Sequence, residues 1–228
     1  MDLDALRMQM NKMTDRVLMR MHDRAWFPLN PSVYVPGAVP LADGSGSSLL
    51  EFALRGLETY HASLGRFEAA DQHPLVISSV PASAAKRAID VPAIPAADIS
   101  IRERIVPYYI DSILPALCSP GEDQNTFGET AYVDADLLEL LHERINIGRY
   151  VAHAKAQANE AIVNVISDRD ALAALLRDEA REAKVLNDVE ARAERYEIDA
   201  ALARRVFAWV IEQTLDLEVV YLQAVARG

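Results

Sequence analysis

Glu143-Arg144-Ile145-Asn146-Ile147-Gly148-Arg149-Tyr150-Val151-Ala152-His153-Ala154-Lys155 lies inside a long run of helical periodicity. At about 100° per residue, the eleven positions from Arg144 to Lys155 return to nearly the same helix face three turns on. The small residues Gly148 and Ala152 sit on or beside the stripe between them. Two cations overlooking a strip with little side chain present positive charge to a small anion inside a bundle. The plainer alternative is a solvated basic face. It fits poorly, because Leu137, Leu138, Leu141, Ile145 and Val151 flank the stripe.

Two carboxylate groupings invite the same question. Asp178 and Glu182 are four apart, but Arg177, Glu179 and Arg181 crowd them, and from spacing alone a solvated face is the better reading. Thr214 and Glu218 are also four apart, among Val210, Ile211, Leu215, Leu217, Val219, Tyr221 and Leu222. A carboxyl in such apolar surroundings has its pKa raised by desolvation, which makes Glu218 a functional candidate. Glu58-Thr59-Tyr60-His61 and Glu139-Leu140-Leu141-His142 both match the Glu-x-x-His half-motif of carboxylate-bridged di-iron bundles. The motif is degenerate and expected by chance in a Glu-rich helical chain. Cys118 has no histidine near it in sequence and reads as a structural or free thiol; His22, His73 and His153 are scattered.

These residues need helices to position them. Leu6, Met10, Met13, Val17 and Met21 mark an amphipathic helix over 3–27, whose methionines read as core or a dimer seam. Residues 28–46 carry prolines and glycines of a connection. Ser48-Leu49-Leu50-Glu51 is a capping box opening a helix to about residue 69. Residues 72–97 read as a loop with one short helical turn near 83–88. Ser100-Ile101-Arg102-Glu103 reads as a second box, with a helix to Leu117 kinked or split at Pro107. After a loop over 118–130, helices are expected over 132–165, from the Ser167-Asp168 cap to about 195, and from the Asp199 cap to about 225. No strand-like alternation persists, so the expected fold is all-α, one domain over 1–228, with long helices packed side by side.

The chain has 228 residues, 51% of them hydrophobic, enough for one sizeable core. Its net charge of −11 argues against nucleic acid and anionic membranes as partners, while leaving room for a locally basic pocket. One cysteine forbids an intrachain disulfide and points to a reducing, cytoplasmic setting. The opening Met-Asp-Leu-Asp is unlike a targeting segment, and no apolar run is long enough to cross a bilayer.

Taken together, the motifs resemble the all-helical chorismate mutases of fungi and plants. That family carries Arg-Arg-Ile-His-Phe-Gly-Lys-Phe-Val-Ala-Glu-Ala-Lys, matched by residues 143–155. Its opening Ile-Arg-x-x-Leu-x-Arg-Met-Glu-Asp is similar to Leu6-Arg7 through Met13-Thr14-Asp15. Its ending Thr-Lys-Glu-Val-Glu-Val-Glu-Tyr-Leu is similar to Thr214-Leu215-Asp216-Leu217-Glu218-Val219-Val220-Tyr221-Leu222. Pro31-Ser32-Val33-Tyr34, Arg66-Phe67-Glu68 and Thr126-Phe127-Gly128-Glu129 also fit, and the likeness is weakest over 72–98.

The resemblance implies the Claisen rearrangement of chorismate to prephenate, toward phenylalanine and tyrosine, by a homodimer without cofactor, metal or covalent intermediate. It implies that Arg7 and Arg144 bind the two carboxylates, and that Lys155 reaches a carboxylate and the ether oxygen. Glu182 would take the ring hydroxyl with help from Asp178. Thr214 and Glu218 would be the last-helix pair, Thr214 helping to bind the substrate and Glu218 being the second donor to the ether oxygen. A non-catalytic interaction protein on the same scaffold is the alternative. Gly65 stands where regulated fungal members have an effector-site arginine, and Glu129 where they have serine, which argues against control by tyrosine or tryptophan.

Overall fold

A computed structural model describes residues 2–69, 72–85 and 93–227, and among them there is no strand. The helices are α1 (Leu3–Ala25), α2 (Leu49–Ser63), α3 (Arg102–Tyr108), α4 (Leu114–Leu117), α5 (Phe127–Asn146), α6 (Gly148–Ala158), α7 (Glu160–Asn164), α8 (Arg169–Leu176), α9 (Glu179–Ala193) and α10 (Ala200–Val225). The all-α expectation holds, and several boundaries move.

Helix α5 is the axis. It is buried nearly all round, with α1, α2 and α10 packed against it. Helix α10 in turn packs on α9, α6 and α8. The main core lies between α1, α2, α5 and α10, around residues such as Leu18, Leu54, Leu138 and Phe207. A smaller core under α6, α8 and the end of α10 gathers Ala152, Leu172, Leu176 and Tyr221. On α1, Met13, Val17 and Met21 enter the core as the stripe requires, whereas Met8 and Met19 remain exposed. Arg24 of α1 is wholly buried against Asp134 of α5 at 2.6 Å, and Tyr34 and Tyr109 donate to the same carboxylate at 2.7 and 2.6 Å. Each charge in that network is paired and hydrogen-bonded, the condition under which burial is tolerated.

The helix expected to reach residue 69 stops at Ser63. Gly65 adopts φ +81°, its N–H bonds Ala62 O at 2.9 Å, and Arg66 N–H bonds His61 O at 3.1 Å. That is a Schellman end, which glycine makes without Cβ strain. Ser48 does cap α2, accepting from the Glu51 N–H at 3.1 Å. The cap position of α3 falls on Ile101, which makes no side-chain bond, one residue later than expected; Ser100 still accepts the Arg102 N–H at 3.3 Å. Pro107 sits in α3, and the helix widens to a π turn over Tyr109–Ile113 before α4, so the expected split is present. The expected turn near 83–88 is a bend over 84–85 and otherwise falls outside the described residues.

The helix expected over 132–165 starts earlier, at Phe127, and is three pieces, broken at Ile147 and again at Asn159, whose side chain caps α7. The helix expected from Asp168 to 195 is two. It breaks at Arg177-Asp178, where the Asp178 carboxylate accepts the Arg181 N–H at 3.1 Å and starts α9. Asp168 and Asp199 cap α8 and α10 as expected.

Candidate active site

The ends of α1 and α5 and the faces of α6, α9 and α10 enclose a cleft of about 670 Å³, counted to its open mouth. All seven residues singled out from the sequence line it: Arg7, Arg144, Lys155, Asp178, Glu182, Thr214 and Glu218. They come from five helices and up to 211 residues apart in the chain, from Arg7 to Glu218.

Lys155 and Glu218 form the floor. Lys155 Nζ donates to Glu218 Oε2 at 2.8 Å and to the Leu176 carbonyl at 2.7 Å. The second bond fills one of the carbonyls left open where α8 ends. Glu218 is only 4% exposed. Burial pushes its pKa up, against the pull of Lys155, and the neighbouring Glu182 adds to the rise. Desolvation therefore wins over the ion pair, a contest that sequence leaves open.

Arg144 approaches from the end of α5, 6% exposed, with no ion pair among the described residues and a buried Nε without partner. Burial pulls its guanidinium down to about 10; Arg181 adds to the fall and Glu218 opposes it. A buried unpaired guanidinium is costly, and an anion in the cleft removes that cost. Arg7 reaches in from α1, bonded at 2.9 Å to the exposed Asp4. Asp178 spends one oxygen on the cap of α9, and Glu182 is 3.5 Å from Arg177. Burial raises Glu182, Arg177 opposes the rise, and Glu212 reinforces it.

The bare strip read from Gly148 and Ala152 is not bare. A Cβ on Gly148 would stand 2.9 Å from Thr214 Cγ2, 3.3 Å from the Thr214 carbonyl and 3.6 Å from Glu218 Cγ. Glycine there lets α10 approach, which carries Glu218 to Lys155. Thr214 donates its hydroxyl to Val210 O at 2.7 Å, so its methyl faces α6. Arg149, on the same helix, is no part of the cleft; it is buried, with Nη1 and Nη2 on the Ala97 and Ile99 carbonyls, each at 2.7 Å.

Two residues outside the expected set also belong to the site: Arg181, which lines the cleft, and Arg177, which touches Glu182. The crowding of cations around Asp178 is the signal in the sequence that points to them, though a solvated face carries the same mark. The Glu-x-x-His pairs do not build a metal centre. Glu139 lies against Glu58, but the Glu58 carboxylate accepts the backbone N–H groups of Leu75, Val76 and Ile77. Among the described residues, no group of three or more His, Cys, Asp or Glu could hold a metal. Cys118 is buried and free, its thiol pushed up to about 11 by burial.

The described residues form a bundle without strands, whose cleft gathers three arginines, one lysine and the desolvated carboxyls of Glu182 and Glu218. Comparison with known proteins narrows the class. The sequence model of the family described as chorismate mutase type II matches residues 127–219. Chorismate mutase 2 of Arabidopsis thaliana is 30% identical over 97% of this chain and 92% of its own length. The chloroplastic chorismate mutase 1 of Zea mays is 35% identical over 84% of this chain, which spans 62% of that relative. The crystal structure of a chorismate mutase from Candida albicans, in complex with L-Trp, superposes with a TM-score of 0.92. It covers 100% of this chain and 93% of its own at 24% identity, a likeness of fold. The chain belongs to the chorismate mutase family.

Proposed function

We propose that the cleft binds chorismate and converts it to prephenate, an intramolecular isomerisation in which an ether C–O bond breaks as a C–C bond forms. The observation that carries this reading is the Lys155–Glu218 pair, 2.8 Å apart on the cleft floor, with Arg144 lining the same cleft and without an ion pair among the described residues. Arg144 and Arg7 take the two carboxylates, where a planar fork gives two parallel bonds. They hold the substrate folded, so that the bond-forming carbons meet. Lys155 and a protonated Glu218 donate to the ether oxygen as negative charge grows there. Glu182, with Asp178, accepts the ring hydroxyl, and Thr214 sets the approach of α10 behind Glu218. A million-fold acceleration asks for about 8 kcal/mol. Orientation and two donors fixed before reaction are of that order.

The reading includes a homodimer in the cytoplasm serving phenylalanine and tyrosine synthesis. Exposed Phe52 and Tyr60 on α2 and Tyr132 on α5, two helices that pack together, support association. No helix among the described residues is long and apolar enough to cross a membrane. The test is loss of chorismate absorbance on adding purified protein, with prephenate as product. Chorismate left unchanged would favour a non-catalytic scaffold instead. Sedimentation at micromolar protein tests the dimer, and cell fractionation tests the location.

A further inference from the structure

The proposed role of Glu182 as acceptor of the ring hydroxyl is best met by its charged form, and burial works against that form. The groups that face it come from three sides. Arg177, the residue that closes α8, places Nη1 3.5 Å from Glu182 Oε2. The same guanidinium places Nη2 2.8 Å from both oxygens of Glu212, two residues before Thr214 on α10. Lys155 of α6 and the Asp178 backbone favour the charged form more weakly, Glu212 disfavours it, and Glu218 stands across the floor. Arg181 follows in the first turn of α9 and lines the same wall.

We propose that Arg177 is a positioning residue for Glu182, held by Glu212 so that one guanidinium ties the start of α9 to α10 and keeps the Glu182 carboxylate aimed into the cleft. The inference rests on Glu182 being the acceptor of the ring hydroxyl. Its geometry is unequal by design: the short contact goes to Glu212, the longer one to Glu182. The grip of Glu212 fixes the guanidinium, and the longer leg leaves the Glu182 oxygens available to a hydroxyl. The chain break at Arg177-Asp178 is what brings this arginine to the site, because in a continuous helix Arg177 and Glu182 would be five apart and face apart.

The two partners act on Glu182 in opposite senses, and that separates positioning from packing. Arg177→Gln removes the cation and leaves Glu212 charged, so Glu182 becomes harder to ionise. Glu212→Gln removes the repulsion and frees Arg177 for Glu182, so it becomes easier. We would titrate the glutamate carboxyls of the free protein by 13C NMR, assigning Glu182 by its loss in Glu182→Gln. The acid limb of kcat/KM would be measured on the same variants. The expected result is a midpoint raised by about 0.5–1 pH unit in Arg177→Gln and lowered in Glu212→Gln, with Arg177→Lys in between. Unmoved midpoints, or two shifts in the same direction, would overturn the proposal. If the NMR midpoints move apart while the limb of kcat/KM stays fixed, the Arg177 link stands and the hydroxyl role of Glu182 fails.

Discussion

Gly148→Ala tests whether the closeness of α6 and α10 is what assembles the floor of the cleft. The added Cβ would stand 2.9 Å from Thr214 Cγ2, with the Thr214 carbonyl at 3.3 Å behind it. Neither atom can swing away: Thr214 is buried, and its hydroxyl is tied to Val210 O at 2.7 Å. Overpacking of this kind costs about 1–3 kcal/mol. The gain in helix propensity of Ala over Gly, at most about 1 kcal/mol and less in a first turn, does not offset it. A net loss of about 1–2 kcal/mol is expected, read in urea as a lower midpoint at unchanged m. Relief of the contact requires α10 to move by tenths of an ångström at Glu218. Displacement of a donor on that scale should lower kcat by about tenfold. Thr214→Ser removes the methyl and keeps the hydroxyl. In that background, Gly148→Ala should cost less than about 0.5 kcal/mol, giving a coupling of about 1 kcal/mol in the double-mutant cycle. A Gly148→Ala protein as stable and active as the parent, or a cycle without coupling, would refute the reasoning.

Arg144→Ala should lower kcat/KM at least about a hundredfold with the helical CD spectrum kept, and Arg144→Lys nearly as far, because a point charge does not replace a fork; near-normal turnover would remove Arg144 from the site. The raised pKa of Glu218 sets the alkaline side of the profile: kcat/KM should fall as pH rises through it, and Glu218→Gln, a donor at every pH, should flatten that limb and hold activity near pH 8. An unchanged alkaline loss in the Gln variant would dismiss the protonated donor. Glu139 is raised by burial and by Glu58 beside it, so the folded protein keeps a proton that the unfolded chain has released. The Glu139 contribution to stability should therefore be full below the ordinary carboxylate range and be lost as pH rises toward about 9, a loss that Glu139→Gln should lack; parallel stability curves for the two proteins would count against the retained proton. Tyrosine and tryptophan should each change activity by less than about twofold, since Gly65 closes α2 where an effector arginine would stand and Glu129 would repel a carboxylate; saturable inhibition by tyrosine would show another residue in that role.

Much of the protein was legible in its sequence, because helix periodicity, caps and a few dispersed motifs are local signals. Met13, Val17 and Met21 had to be buried together, and Asp199 had to open the last helix, whatever surrounded them. Arg144, Lys155 and Glu218 could be named for the same reason: a charged side chain among apolar neighbours is conspicuous before folding. Arg7, Asp178 and Glu182 sit among other charges, and only the resemblance to the helical chorismate mutases pointed to them. What tertiary structure alone decided was which of them meet and in what state. Periodicity cannot show that Gly148 is small because Thr214 lies against it, or that Arg177 leaves the helix to reach Glu182. Nor does spacing distinguish Arg149, buried on two carbonyls, from Arg144, buried without an ion pair. Arg24 and Asp134, 110 residues apart, carry no mark in the chain that they pair. The rise of Glu218 against its own lysine depends on how much water the packed helices exclude, a property of the assembled cleft.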